Sequence, residues 1–115
     1  MDKDATRERL EQERRIVEQE IERLKRAIQA ETEFEPEDSA PDLIEREKSV
    51  ALLQSFEARL REILDALETV EQGTYGICER CGRPIDPERL NIMPETRLCV
   101  RCKAETEQRY RRRFL

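Results

Sequence analysis

Residues 53–70, "LQSFEARLREILDALETV", place an apolar side chain at every third or fourth position. Leu53, Leu60 and Leu67 form one row, and Phe56, Ile63 and Val70 form a second, three residues on. This spacing keeps both rows on one side of an α-helix and is the a/d pattern of a two-helix seam. The stretch is rich in Leu, Glu, Arg and Ala and has no Gly or Pro, so helix propensity agrees with the periodicity. An upstream segment supplies a matching stripe. Leu10, Val17 and Leu24 recur every seven residues, Ile21 and Ile28 follow Val17 and Leu24 by four, and Arg14 interrupts the isoleucine row.

Between the two stripes lies "EFEPEDSAPD", residues 33–42, which carries both a stop and a start signal. Pro36 halts the first helix shortly before it. Ser39 can cap the second, with Asp42 three residues on, and Pro41 is tolerated in a first turn. Gly73 is placed to end the second helix. An intermolecular coiled coil could use the same heptads, but so short a connection favours a chain that folds back on itself. The sequence therefore predicts an antiparallel coiled-coil hairpin with arms at 4–33 and 40–71, each about 45 Å long. The seam thins toward the connection, where Arg46 and Ser49 take heptad positions.

Composition fits long exposed helices better than a large core. Of 115 residues, 43% are charged and 37% hydrophobic, with no tryptophan and three glycines. A net charge of −5 argues against a general nucleic-acid binder, although the charge is unevenly spread. Six acids (Glu31, Glu33, Glu35, Glu37, Asp38, Asp42) crowd residues 31–42, whereas residues 97–113 carry seven bases against Glu105 and Glu107. The two ends are thus suited to different surfaces. The chain has no apolar run of membrane-spanning length and no signal-peptide core, so a cytoplasmic protein is expected.

In a reducing compartment four cysteines point to metal rather than disulfides. Cys78, Cys81, Cys99 and Cys102 form two C-x-x-C pairs separated by seventeen residues, the spacing of a four-thiolate zinc site. Two intervening residues let one tight turn aim both sulfurs at one ion, and Gly82 permits that turn after Cys81. Four thiolates leave no position for water, so one structural zinc ion is expected. Paired disulfides, a redox C-x-x-C or an iron–sulfur cluster are the other uses of such cysteines, but the chain offers no thioredoxin-like context. Residues 83–98 contain three prolines and few large apolar side chains, so metal binding is expected to supply most of their folding energy, on the order of 10 kcal/mol or more. A short last helix is predicted from Val100 to Phe114. Its terminal arginines are also explained as cations at a helix C-terminus, worth about a few tenths of a kcal/mol.

The run "YGICERCGRPI", the "RL" and the proline that follow, and "LCVRCK", spanning Tyr75 to Lys103, together with the hairpin before them, resemble the DksA/TraR family of bacterial transcription regulators. The resemblance extends from about residue 5 onward. It implies a mostly α protein with a coiled-coil hairpin at 1–72, its tip at about 33–42, and a four-cysteine zinc finger plus helix at 73–115. It further implies that the hairpin enters the secondary channel of RNA polymerase and brings its tip near the active site. The family's tip motif is D-x-x-D-x-A, and "EPEDSA" sets Glu35, Asp38 and Ala40 in those places. Glu35 stands where the family has aspartate, and Pro41 follows Ala40 directly. Positions that answer to guanosine tetraphosphate in studied members hold Glu62, Met93 and Lys103 here. Only Lys103, a candidate nucleotide or polymerase contact, keeps the charge, so strong nucleotide synergy is not expected.

The expected function is that of a non-enzymatic, monomeric regulator that binds bacterial RNA polymerase and alters open-complex stability without reading DNA sequence. Two alternatives come from other classes. A transcript-cleavage factor would use the tip acids to hold magnesium, but such factors lack this zinc site. A zinc-ribbon adaptor would bind nucleic acid through the basic last helix. Without histidine or an open metal position, catalysis by the chain itself is not expected.

Overall fold

The computed structural model describes residues 2–33 and 42–114. Four helices follow one another: α1 (Lys3–Glu33), α2 (Asp42–Gln72), α3 (Pro87–Ile92) and α4 (Val100–Phe114). The long arms and the last helix match the sequence expectation, whereas α3 was not anticipated. Pro36, read as the stop of the first arm, and Ser39 and Pro41, read as the start of the second, lie outside the described residues. No helix among the described residues is long and apolar enough to cross a membrane.

The two heptad stripes meet in an antiparallel seam. Leu10 packs with Ala66 and Val70 at one level, and Val17 and Ile21 pack with Ile63 at the next, bordered by Leu53, Phe56, Leu60 and Leu67. Early α1 residues therefore face late α2 residues. Leu10, Val17, Ile63 and Ala66 lose all their solvent exposure. Arg14 resolves its place in the seam by turning outward to Glu18 at 2.9 Å and Glu11 at 3.7 Å. Arg7–Glu71 at 2.6 Å and Arg59–Glu13 at 2.9 Å stitch the flanks across the two arms. Toward the start of α2 burial fades, leaving Leu43, Ile44 and Leu52 exposed.

Helix ends follow local chemistry. At the start of α1 the Asp2 carboxylate accepts the Asp4 amide at 3.0 Å, leaving one fewer donor unpaired. At the end of α2 the Gly73 amide bonds to the Val70 carbonyl and the Thr74 amide to that of Thr69, with Gly73 at φ 78°. That pair of bonds is a Schellman closure, and its left-handed residue favours glycine. A Cβ at Gly73 would meet nothing within 4 Å, so backbone conformation rather than space selects glycine.

A second, smaller core gathers Cys78, Ile85, Leu90 and Cys102, with Tyr75 and Leu98 against it. Tyr75 also packs on the Leu10–Ala66–Val70 cluster, so one ring joins the two cores. Its hydroxyl donates to the Pro94 carbonyl at 2.8 Å, and burial raises its pKa above the ordinary phenol value. Arg9 of α1 donates to the Leu90 and Asn91 carbonyls at the end of α3. Arg97 reaches Asp65 of α2 at 3.5 Å, and Arg59 lies 3.6 Å from the buried Glu95 carboxylate. The cysteine-bearing segment is therefore latched to the base of the hairpin by one ring and several charged groups.

Candidate metal centre

Each cysteine pair is set by a different local device. In the first, the chain turns so that the Cys78 amide bonds to the Arg83 carbonyl and the Gly82 amide to the Cys78 carbonyl, both at 2.9 Å. Gly82 sits at φ 78°, the left-handed conformation expected directly after Cys81. Ile77 and Pro84 form an antiparallel bridge at the mouth of this turn. In the second, Cys99 caps α4. Its carbonyl takes the first helical bond, from Lys103 at 2.9 Å, and its sulfur accepts the Cys102 amide at 3.4 Å. The sulfur thus does what a Ser or Asp oxygen does at an N-cap, and Cys102 falls one turn into the helix.

The four sulfurs converge. All lie within 4.8 Å of one another, and those of Cys81 and Cys99 are 3.9 Å apart. Tetrahedral zinc with bonds of about 2.3 Å would separate them by about 3.8 Å, so the arrangement fits one ion. Cys78 and Cys102 are buried and Cys81 is exposed, which places the centre at the surface with its inner half against the small core.

Electrostatics of the quartet also call for a cation. Burial opposes ionisation of Cys78, yet the backbone amides around it outweigh that and lower its pKa to about 6. The Cys102 amide is the main cause that lowers Cys99. Burial, and then the neighbouring thiols, push Cys102 up to about 12. Four thiolates this close cannot all carry charge unaided, and a divalent ion removes that obstacle. Around them Arg80 pairs with Glu105, and Glu105 accepts from Arg101 at 3.3 Å. This ion pair ties the first cysteine turn to α4.

α3 supplies the small core with Leu90. Asp86 caps it by accepting the Glu88 amide at 3.0 Å, and Pro87 fills its first turn. The dipeptide Asp86-Pro87 is therefore a readable helix start, although the helix it opens is only six residues long. The residues that the resemblance matched to nucleotide positions do come together: Glu62, Met93 and Lys103 line one cleft with Arg89, Glu95 and Arg97. Lys103 is half-buried and 4.0 Å from Glu107. Glu35, Asp38 and Ala40 lie outside the described residues. Nothing in the periodicity flagged Arg59, Arg80, Glu95, Arg97 or Glu105.

Known proteins share this arrangement. Residues 73–108 match the prokaryotic dksA/traR C4-type zinc finger. The solved structure of the transcription factor DksA2 from Pseudomonas aeruginosa superposes with a TM-score of 0.74 and 32% identity, over 95% of this chain and 85% of that one. The chain belongs to the DksA/TraR family. Within sequence alone, an uncharacterized protein of Aquifex aeolicus is 57% identical over 51 residues, 44% of this chain and 35% of that protein. The protein YteA of Bacillus subtilis is 48% identical over 59 residues, 51% of this chain and 25% of its own length. The RNA polymerase-binding transcription factor DksA of Caulobacter vibrioides is 38% identical over 52 residues, 45% of this chain and 37% of that one. The chain thus matches between a quarter and two-fifths of these three relatives. Its four cysteines make it a zinc-type member of the DksA/TraR family, holding one ion.

Proposed function

We propose that this protein binds bacterial RNA polymerase and changes the stability of open promoter complexes. The observation that carries the reading is the likeness to DksA2 over 95% of the chain, hairpin included. The zinc finger alone is a module of many uses, but a hairpin of two 31-residue helices on it is a lever. At about 1.5 Å per residue each arm is roughly 46 Å long. The latched base fixes the lever's direction, so the zinc-bearing half serves as anchor and the acidic connection around Glu35 and Asp38 is carried into the secondary channel. Carboxylates delivered there act on a magnesium-dependent, phosphate-handling centre, where oxygen ligands are at home. A change of about 1.4 kcal/mol shifts an open-complex population tenfold, so a few contacts suffice. Neither catalysis by the chain nor recognition of DNA sequence is needed, and the protein works as a monomer in the cytoplasm.

The test is the lifetime of open complexes on a ribosomal RNA promoter, with the protein absent, present, or carrying Asp38→Asn. The expected result is a shortened lifetime that D38N restores while polymerase binding persists. Intact protein that binds polymerase without changing the lifetime would sink the role of the tip, and absence of binding would sink the partner.

A further inference from the structure

The second half of α4 carries a surface that neither the zinc centre nor the hairpin uses. Cys102 is the only buried residue of this helix. The twelve residues from Lys103 to Phe114 therefore run on for about 18 Å, and among the described residues no other helix packs against them. On this stretch Tyr110 and Phe114 are 64% and 62% exposed, their ring centroids 4.8 Å apart and tilted by 41°. The Arg113 guanidinium lies over the Phe114 ring, 5.7 Å from its centroid. Residues on a helix advance by about 100° each, which puts the two rings in one sector and arginines on both flanks. Arg113 lies about 60° to one side of Tyr110, and Arg111 about 60° beyond Phe114. Arg109 and Arg112 complete the circumference. None of Arg109, Arg111, Arg112 or Arg113 is in an ion pair with a described residue. The remaining acids of the helix, Glu105 and Glu107, face Arg80, Arg101 and Lys103 instead.

We infer that this end of α4 is a binding platform for single-stranded nucleic acid, taken without regard to sequence. Exposed aromatic faces stack with any base, while flanking guanidiniums meet the phosphates on either side. The charge is local: residues 109–114 carry four positive charges and no negative one, so the overall acidity of the chain does not cancel them at short range. An acidic protein surface approaches a helix from one side and leaves half of these arginines unused, whereas a strand can curl round the helix. A membrane surface needs a continuous apolar face, and Lys103 and Glu107 interrupt this one. Cations near a helix C-terminus also favour the helix dipole, but that effect calls for no exposed ring pair. The inference is independent of polymerase binding.

Fluorescence anisotropy on the full zinc-loaded chain tests it, with labelled oligouridylate and oligothymidylate of about twelve nucleotides. Binding to both is expected. With three or four phosphates engaged, affinity should fall roughly twenty- to fifty-fold between about 50 mM and about 200 mM salt. R111Q/R112Q should weaken binding about tenfold or more and flatten the salt dependence. Y110A/F114A should weaken it about fivefold or more with the salt dependence kept, because stacking rather than charge is lost. R15Q/R26Q, an equal charge change on α1, should alter it less than about twofold. All variants should keep their zinc and helix content, since none of these side chains reaches either core. Four results would overturn the inference: no binding at the lower salt, an equal loss with R15Q/R26Q, no loss with Y110A/F114A, or displacement by polyglutamate as effective as by oligonucleotide. The last would assign the surface to an acidic protein partner.

Discussion

Cys78 and Cys102 are both buried thiols in one quartet, yet their proton affinities diverge, to about 6 and about 12. The difference lies in the backbone. Cys78 sits in a turn whose amides face its sulfur, whereas at Cys102 the hydrogen bond from Arg80 is outweighed by burial and by the neighbouring thiols. At neutral pH the metal-free site thus already holds one thiolate at Cys78, while zinc must displace the proton of Cys102. Folded-state lowering of Cys78 from 9.0 stabilises the metal-free fold above that value, and the gain is lost as pH falls through about 6. Raising Cys102 acts in the opposite sense: its contribution is present below 9.0 and lost as pH rises through about 12. For zinc the sign is single, because both groups bind metal only when deprotonated. Affinity measured by chelator competition should rise by at least about tenfold per pH unit from 6 to 8, and fall more steeply below that range as Cys78 protonates. A pH-independent affinity would refute thiolate ligation by this set. At the same scale, the left-handed φ of Gly73 predicts that Gly73→Ala lowers stability by about 1 kcal/mol, read as a shifted urea midpoint with an unchanged slope.

At the scale of the elements, the seam residues separate into those that hold the hairpin and those that only border it. Ile63 is fully buried between Val17 and Ile21, so Ile63→Ala should cost about 2–5 kcal/mol through lost transfer energy and the cavity left behind. Leu52 is nearly half exposed, and Leu52→Ala should cost no more than about 0.5 kcal/mol. Urea melts of the two variants check the contrast, and equal effects would mean that α2 packs with a different face. The heptads made this much legible in advance, because period alone fixes which side of a helix is inward. Ala66 is less legible because a small residue adds little to an apolar pattern, although it is fully buried in the cluster with Leu10 and Val70. α3 escaped for a related reason. At six residues its pattern cannot complete two turns, and only the Asp86-Pro87 start betrays it. The cysteine spacing, by contrast, was decisive, since two C-x-x-C pairs leave little choice of partner. What sequence could not offer was the ring of charged residues joining the elements. Arg9 and Asn91 are 82 positions apart, and no local periodicity encodes a contact that exists only after two cores have docked.

On the scale of the whole molecule, the lever reading depends on how stiffly the zinc-bearing half meets the hairpin. Among the described residues Tyr75 is the one side chain that packs on both cores, and the other links between them are ion pairs and carbonyl contacts. Exposed pairs contribute about 0–1 kcal/mol each, so Arg97–Asp65 cannot hold the junction alone. Glu95 is buried and its second oxygen has no hydrogen-bond partner among the described residues, which makes it a poor source of net stability. The ring of Tyr75 is therefore the main coupling. Removing only its hydroxyl, in Tyr75→Phe, breaks the bond to the Pro94 carbonyl and should cost about 1 kcal/mol while leaving the two halves joined. Tyr75→Ala should do something different in kind. The four cysteines remain, so zinc stays bound, and the hairpin seam beyond Leu10 is untouched; but the halves should lose their common melting transition and separate into two. Calorimetry on the zinc-loaded variant would reveal the split, and distances between spin labels on α2 and α4 should broaden in parallel. A single sharp transition in Y75A would instead place the coupling in the charged ring around Arg59, Glu95 and Arg97. If the broadening appears and the variant still binds polymerase, its effect on open complexes should weaken even with Glu35 and Asp38 intact, because a carboxylate on a loose lever spends less of its time where the chemistry is.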